Sequence, residues 1–245
     1  MKIKVINPNT SQGMTDRIGD AARAVAMPGT EIIAWCPVDG PPSIEGHYDE
    51  ALSVPGLLEA VRQGEADGVD GYVIACFGDP GLQAAREIAR GPVLGIAEAA
   101  MHVASLVARS FSVVTTLGRT RGIAADLAER YGMQRFCRKV RASEVAVLEL
   151  EDPASNASAR VLAECRRALE EDDAEAIVLG CAGMTDLCQG ISQALGVPVI
   201  DGVAAAVTLV ESLHRLGLVT SKHGEWAYPL AKAYEGKLAR FSPRG

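Results

Sequence analysis

The chain reads as an α/β protein built from two similar lobes around parallel sheets, and three observations carry that expectation. Two apolar, β-branched runs, Gly71-Tyr-Val-Ile-Ala-Cys76 and Ala176-Ile-Val-Leu-Gly-Cys181, each end in a cysteine followed by small residues, as buried parallel strands do before a turn. Short apolar runs alternate with helix-compatible segments along the chain, the order that gives βαβ units. The order also repeats. Gly91-Pro-Val-Leu-Gly-Ile-Ala-Glu-Ala-Ala100 matches Val197-Pro-Val-Ile-Asp-Gly-Val-Ala-Ala-Ala206 at an offset of 106, and the two cysteines are offset by 105.

Residues 2–6 form the first strand, and the polar turn Asn7-Pro-Asn-Thr-Ser11 caps a helix over about 14–26 that ends at Pro28-Gly29. A second strand follows at 31–35. The loop 37–46, with three prolines and two glycines, excludes regular structure and is long enough to line a pocket. A helix over about 49–64 is expected to break at Pro55. Then come the Cys76 strand, a helix over 81–89, a short strand at 92–94 and a helix over 96–109. The order restarts at the strand 111–115, and 136–140 echoes 31–35. We assign 1–97 plus 207–245 to the first lobe and 98–206 to the second, with helices around 97–109 and 202–216 packed between them. The tail 220–241 is expected to return to the first lobe, since Trp226, Tyr228 and Tyr234 need burial at a place the sequence does not specify.

Composition excludes several functions. The 245 residues suffice for one large or two small domains with real cores. Thirty-one acidic against 24 basic residues give a net charge of −7, which argues against a nucleic-acid surface. No run is long and apolar enough to span a bilayer, no signal core opens the sequence, and a cytoplasmic location is expected. The six cysteines form no C-x-x-C pair and no zinc spacing, so they read as reduced thiols without a metal.

Ligands of open α/β sheets bind outside the carboxyl ends of the strands, so Cys76 and Cys181 are placed to face one crevice as an acid and a base. Phe77-Gly78 and Ala182-Gly183 leave backbone N–H groups accessible at a helix start, where they raise the thiolate fraction and stabilise an oxyanion. Cys36, Cys137, Cys165 and Cys188 read as small hydrophobes, and Asp79 as a helix cap, because a carboxylate beside a thiolate would raise its pKa. His102 and His214 fall in helices as packing or surface residues, and His47 pairs with no cysteine.

Asn7-Pro-Asn-Thr10, Gly40-Pro-Pro-Ser-Ile-Glu-Gly46, Ala75-Cys-Phe-Gly-Asp-Pro-Gly81, Val113-Val-Thr-Thr116 and Leu179-Gly-Cys-Ala-Gly-Met184 resemble the aspartate/glutamate/hydantoin racemase superfamily, most closely its hydantoin and allantoin branch. The similarity covers nearly the whole chain. It implies two Rossmann-like lobes related by a pseudo-twofold axis, a site in the cleft, 1,1-proton transfer by the two cysteines without a cofactor, and a homo-oligomer. The amino-acid racemases of the superfamily follow their cysteines with polar residues, whereas Phe77-Gly78 and Ala182-Gly183 suit a neutral cyclic ureide such as a 5-substituted hydantoin. Asn9 is expected to bond the ring or else to cap the following helix. Thr116 and Thr120 are expected to contact the ring and Ser43, Ile44 and Glu45 to wall the 5-substituent, with ordinary turn roles as the alternative for these five. An amino-acid racemase is the alternative within the superfamily, and a decarboxylase-like activity is weaker. From another class comes a cytosolic small-ligand binding protein. A dinucleotide enzyme is weaker still, since no G-x-G-x-x-G follows the first strand.

Overall fold

The structure, a computed structural model, describes residues 1–152 and 154–243. The first half holds β1 (Lys2–Ile6), α1 (Gln12–Val25), β2 (Glu31–Trp35), α2 (His47–Ala66), β3 (Gly71–Ile74), α3 (Leu82–Ile88) and β4 (Val93–Gly95). After α4 (Ile96–Val107) the second half repeats the pattern with β5 (Phe111–Thr115), α5 (Arg121–Arg130), β6 (Cys137–Ala142), α6 (Ala157–Asp172), β7 (Ala176–Gly180), α7 (Cys188–Leu195), β8 (Val199–Ile200) and α8 (Gly202–Arg215).

The strands form two four-stranded parallel sheets in the orders β2-β1-β3-β4 and β6-β5-β7-β8. In each, the strand order reverses beside the first strand of the half. Ligand crevices open at such switch points. In the first sheet, Ile6 is in register with Ile74, so the turn at Asn7 lies beside Cys76. In the second, Thr115 is in register with Gly180, so Thr116 lies beside Cys181.

One apolar core joins the sheets. Val5 and Val73 of the first and Val113 and Val178 of the second share it with Ala97, Ala100 and Met101 of α4 and Val203, Val207 and Val210 of α8. Each such side chain contributes roughly 1.5–3 kcal/mol on full burial, alanines less. Gly202 lets the starts of α8 and α4 touch, since a Cβ there would lie 2.6 Å from the Ile96 carbonyl oxygen. Smaller cores lie outside each sheet, one under α2 and α3 around Leu57, Tyr72 and Ile74, the other under α6 and α7 around Val161, Ile177 and Leu179. The residue 206/207 division read from sequence falls inside α8, whose residues pack on both sheets.

Three local expectations differ from the structure. Pro55 does not break α2, which runs through it as one 20-residue helix. Leu57, Ala60 and Val61 beyond it are buried in the outer core, and that packing holds the two parts in line. Neither cysteine turn leads directly into an α-helix: a 3₁₀ segment, Ala182–Leu187, follows Cys181, and α3 begins six residues after Cys76. Tyr228 and Tyr234 stay exposed while Trp226 is half-buried. The tail itself lies on α3. Trp226 donates from its indole N–H to Gln83 Oε1 at 2.8 Å, and Thr220 N–H bonds the Arg90 carbonyl at 3.0 Å.

Candidate active site

Cys76 and Cys181 line one cavity of about 60 Å³ between the two sheets. Each sulfur accepts a hydrogen bond from the backbone N–H two residues on, Gly78 for Cys76 and Gly183 for Cys181. The N–H groups expected to serve as open oxyanion donors at helix starts are therefore aimed at the sulfurs themselves. The thiols also depart from the expected direction. Burial pushes Cys76 up to about 12, with Cys181, Asp79 and Glu50 adding to it, and pushes Cys181 up to about 11. Desolvation disfavours the thiolate by more than one N–H favours it.

The first-half wall is set by the turn after β1. Ser11, not Asn9, caps α1, its hydroxyl accepting from Met14 N–H. Asn9 Oδ1 accepts from Ser11 N–H at 2.9 Å and Asn7 Nδ2 at 2.8 Å, which fixes the orientation of its amide. Among the described residues its Nδ2 then meets only the Met14 sulfur, at 3.4 Å, and retains donor capacity into the cavity.

On the other side stand Thr116 and Thr120. Thr120 donates its hydroxyl to the Leu117 carbonyl at 2.8 Å, while the Thr116 hydroxyl has no hydrogen bond among the described residues. Ile44, Phe77, Gly78 and Ala182 also line the cavity. Ser43, Glu45 and Gly183 do not. Glu45 turns instead to the Val147 N–H of the second half, at 2.9 Å, and Gly183 lies behind the Cys181 sulfur.

Sequence reasoning missed Glu50, Ile123 and Val147, all of which line the cavity. Glu50 is the one charged side chain, cysteines aside, among the described lining residues, and its carboxylate lies over bare Gly78, where a Cβ would be 3.6 Å from Glu50 Cδ. Burial raises its pKa, against the pull of His47 and Arg130. Its place in the first turn after the 37–46 loop was the available signal.

No cationic side chain lines the cavity among the described residues, and among them no group of three or more His, Cys, Asp or Glu is arranged to hold a metal ion. Nor is any described helix long and apolar enough to cross a membrane. The arrangement is two thiols, each with its own N–H donor, bordering a compact space with polar donors at its rim. Groups of this kind can take up and give back a proton.

A sequence model of the family described as Asp/Glu/Hydantoin racemase matches residues 3–210. The chain is 53% identical over 236 residues to the hydantoin racemase of Rhizobium meliloti, covering 96% of this chain and 98% of that one. It is 48% identical over 241 residues to the hydantoin racemase of Pseudomonas sp. (strain NS671), covering 98% and 97%. Among solved structures it superposes on allantoin racemase from Klebsiella pneumoniae with a TM-score of 0.97 at 58% identity over 100% of both chains. Glutamate racemase from Francisella tularensis matches with a TM-score of 0.64 at 16% identity, over 90% of this chain and 84% of that one, a likeness of fold.

Proposed function

The chain belongs to the Asp/Glu/hydantoin racemase family, and from that premise we propose that it racemises a 5-substituted hydantoin, allantoin included, by two-base proton transfer between Cys76 and Cys181. The observation that carries the reading is two thiols at equivalent strand ends of the two halves, bordering one small cavity. One sulfur, as thiolate, takes the hydrogen from C5. The electron pair passes into the ring carbonyl as an enolate, and the other thiol gives its proton to the opposite face. Reversing the roles converts the other enantiomer, and no step uses a cofactor.

Around the ring, Asn9 Nδ2 is the donor for a carbonyl or its enolate oxygen, and the Thr116 hydroxyl is available for a second contact. Phe77 and Ile44 supply the apolar wall. The lack of a cationic lining residue among the described residues and the presence of Glu50 disfavour the amino-acid racemase alternative, because an α-carboxylate would enter unpaired beside another carboxylate. Exposed Tyr228, Leu230 and Leu238 on the tail support assembly with further copies of the chain, read by size-exclusion chromatography.

One enantiomer of a 5-substituted hydantoin incubated in deuterated water with the wild type, Cys76→Ser and Cys181→Ser tests the mechanism. Each substitution is expected to abolish inversion, with exchange into a single enantiomer surviving in one variant. Racemisation at the wild-type rate by either variant sinks the two-base scheme. Polarimetry with D- and L-aspartate and glutamate beside hydantoins tests the substrate class.

A further inference from the structure

In the second half, the helix that begins at the cleft is capped by its own preceding residue. Asp201 accepts from Val203 N–H at 3.1 Å and Ala204 N–H at 3.0 Å. The matching position of the first half, 106 residues earlier, is Gly95. Its backbone, at φ −86° and ψ 150°, is close to the −86° and 124° of Asp201, but it has no side chain to offer.

The missing carboxylate comes from Asp79. Its Oδ1 accepts from Ala97 N–H at 3.0 Å and its Oδ2 from Glu98 N–H at 2.9 Å, the same two helix positions that Asp201 serves. A Cβ on Gly95 would fall 2.1 Å from Asp79 Cγ, so the borrowed carboxylate fills the space of the absent side chain. The two halves thus build one cap by different routes.

The borrowed route is the more strained. Asp79 sits in the left-handed region at φ 46°, a conformation that a residue with a side chain adopts at a steric cost glycine does not meet. It is 4% exposed, and burial pushes its carboxyl up to about 7 against the hydrogen bonds it accepts. An aspartate at position 95 would cap α4 without the left-handed backbone, although burial raises the carboxyl of its counterpart Asp201 as well.

What the borrowed route adds is connection. Asp79 N–H closes a turn onto the Cys76 carbonyl at 3.0 Å, and Asp79 Oδ2 accepts from the Tyr131 hydroxyl at 2.7 Å. Tyr131 ends α5, whose other end carries Ile123 and Ala124 into the cavity wall. The carboxylate therefore joins the Cys76 turn, the start of α4 and the far end of a second-half helix that borders the site.

We propose that Asp79 is a positioning residue, a strut from the Cys76 turn to α4 and Tyr131 that sets the reach of the Cys76 sulfur across the cleft. The proposal rests on the hydantoin racemase reading, and its test carries two readouts that need no turnover. Four variants separate strut from cap: Asp79→Gly, Gly95→Asp, the two combined, and Tyr131→Phe. Each is followed by thermal unfolding, by kcat and KM with both enantiomers, and by iodoacetamide labelling of Cys76 and Cys181 read from their peptides.

Asp79→Gly loses the cap and the strut, so both melting temperature and turnover fall. The combined variant returns the carboxylate to the helix by the second-half route and recovers the melting temperature. Its kcat stays about tenfold or more below wild type, because displacements of an ångström cost up to about a hundredfold. KM stays near the wild-type value, and Cys76 labels faster while Cys181 does not change. Tyr131→Phe keeps every backbone cap and is expected to lower kcat without moving KM. Wild-type kcat and labelling in the combined variant would falsify the strut and leave Asp79 a helix cap. Should that variant not fold, wild-type turnover and labelling in Tyr131→Phe overturn it equally. A wild type that racemises no hydantoin refutes the functional reading instead, and the Cys76 labelling rates still decide the strut.

Discussion

Glu45 reaches across the cleft to Val147, its carboxylate accepting the backbone N–H at 2.9 Å. A reciprocal contact runs the other way: Glu151, 106 residues further on, accepts from the Ser11 hydroxyl at 2.7 Å. The two glutamates occupy equivalent positions in the repeat and tie each half to the other across the mouth of the cavity.

A closed mouth needs both ties. Glu45→Ala removes a charge-assisted hydrogen bond, a class whose net worth is about 1.5–3 kcal/mol when buried and less at a partly exposed site such as this one. The expected outcome is a KM about fivefold higher with a smaller change in kcat, measured by polarimetry against hydantoin concentration. A change in kcat alone would remove the closing role.

Glu50 is the one charged side chain, cysteines aside, among the described residues that line the cavity. Its carboxylate has no hydrogen-bond donor among the described residues, the His47 Nδ1 lying 4.0 Å away, so its acceptor capacity faces the cavity. Glu50→Leu should weaken hydantoins whose 5-substituent carries N–H groups by about tenfold in kcat/KM, and leave a plain alkyl substituent near the wild-type value. Side-by-side kinetics on the two substrate types check it, and equal losses on both would rule out a contact to the substituent.

The architecture was readable because both halves repeat one alternation of β-branched runs and helical stretches, and because Cys76 and Cys181 close equivalent strands. Side-chain roles were less readable where a partner lies far along the chain. Nothing near Glu45 announces a bond to Val147, and Asp79, correctly taken for a cap, serves a helix starting 17 residues later. Glu50 looked like an ordinary acidic residue in a helix's first turn. The thiol acidities went the other way because local pattern shows the neighbouring N–H groups but not the burial that outweighs them. Pro55 failed as a breaker for the same reason, since tertiary packing overrode a local rule.

Away from the cleft, Arg141 on β6 is the buried hub of an ionic cluster. It bonds Asp172 at 2.6 Å, Glu171 at 2.7 Å and Glu164 at 3.0 Å, with its side chain 3% exposed and that of Asp172 4%. Desolvation alone would raise the Asp172 carboxyl, yet the bonds from Arg141 and Ser112 prevail and lower it. Arg141→Met leaves that buried carboxylate with the exposed Lys139, 3.9 Å away, as its remaining cation among the described residues, and should reduce unfolding free energy by about 3 kcal/mol. Urea denaturation measures the loss, with kcat per folded molecule unchanged because the cluster borders no part of the cavity.

Alkaline pH should raise activity through the two cleft thiols and lower stability through every thiol that burial makes less acidic, those two and Cys165 included. In the cleft, burial holds Cys76 near 12 and Cys181 near 11, so the reactive form with one thiolate and one thiol is scarce at neutrality. The rate at subsaturating substrate should therefore climb with pH above about 7, up to about tenfold per unit, for as long as the fold survives. Stability moves oppositely. Cys165 is 0% exposed and pushed up to about 12 by burial, well above its unfolded value of about 8.5. A group whose folded pKa is raised gives its full stabilisation below the unfolded pKa and loses it as pH climbs toward the folded one. Between about pH 9 and 11 this thiol alone removes roughly 1.4 kcal/mol per unit. Melting temperature should fall through that window, and Cys165→Ala, though less stable at neutrality, should fall less steeply. A melting curve whose alkaline slope is the same in that variant would show that the buried thiol does not set it.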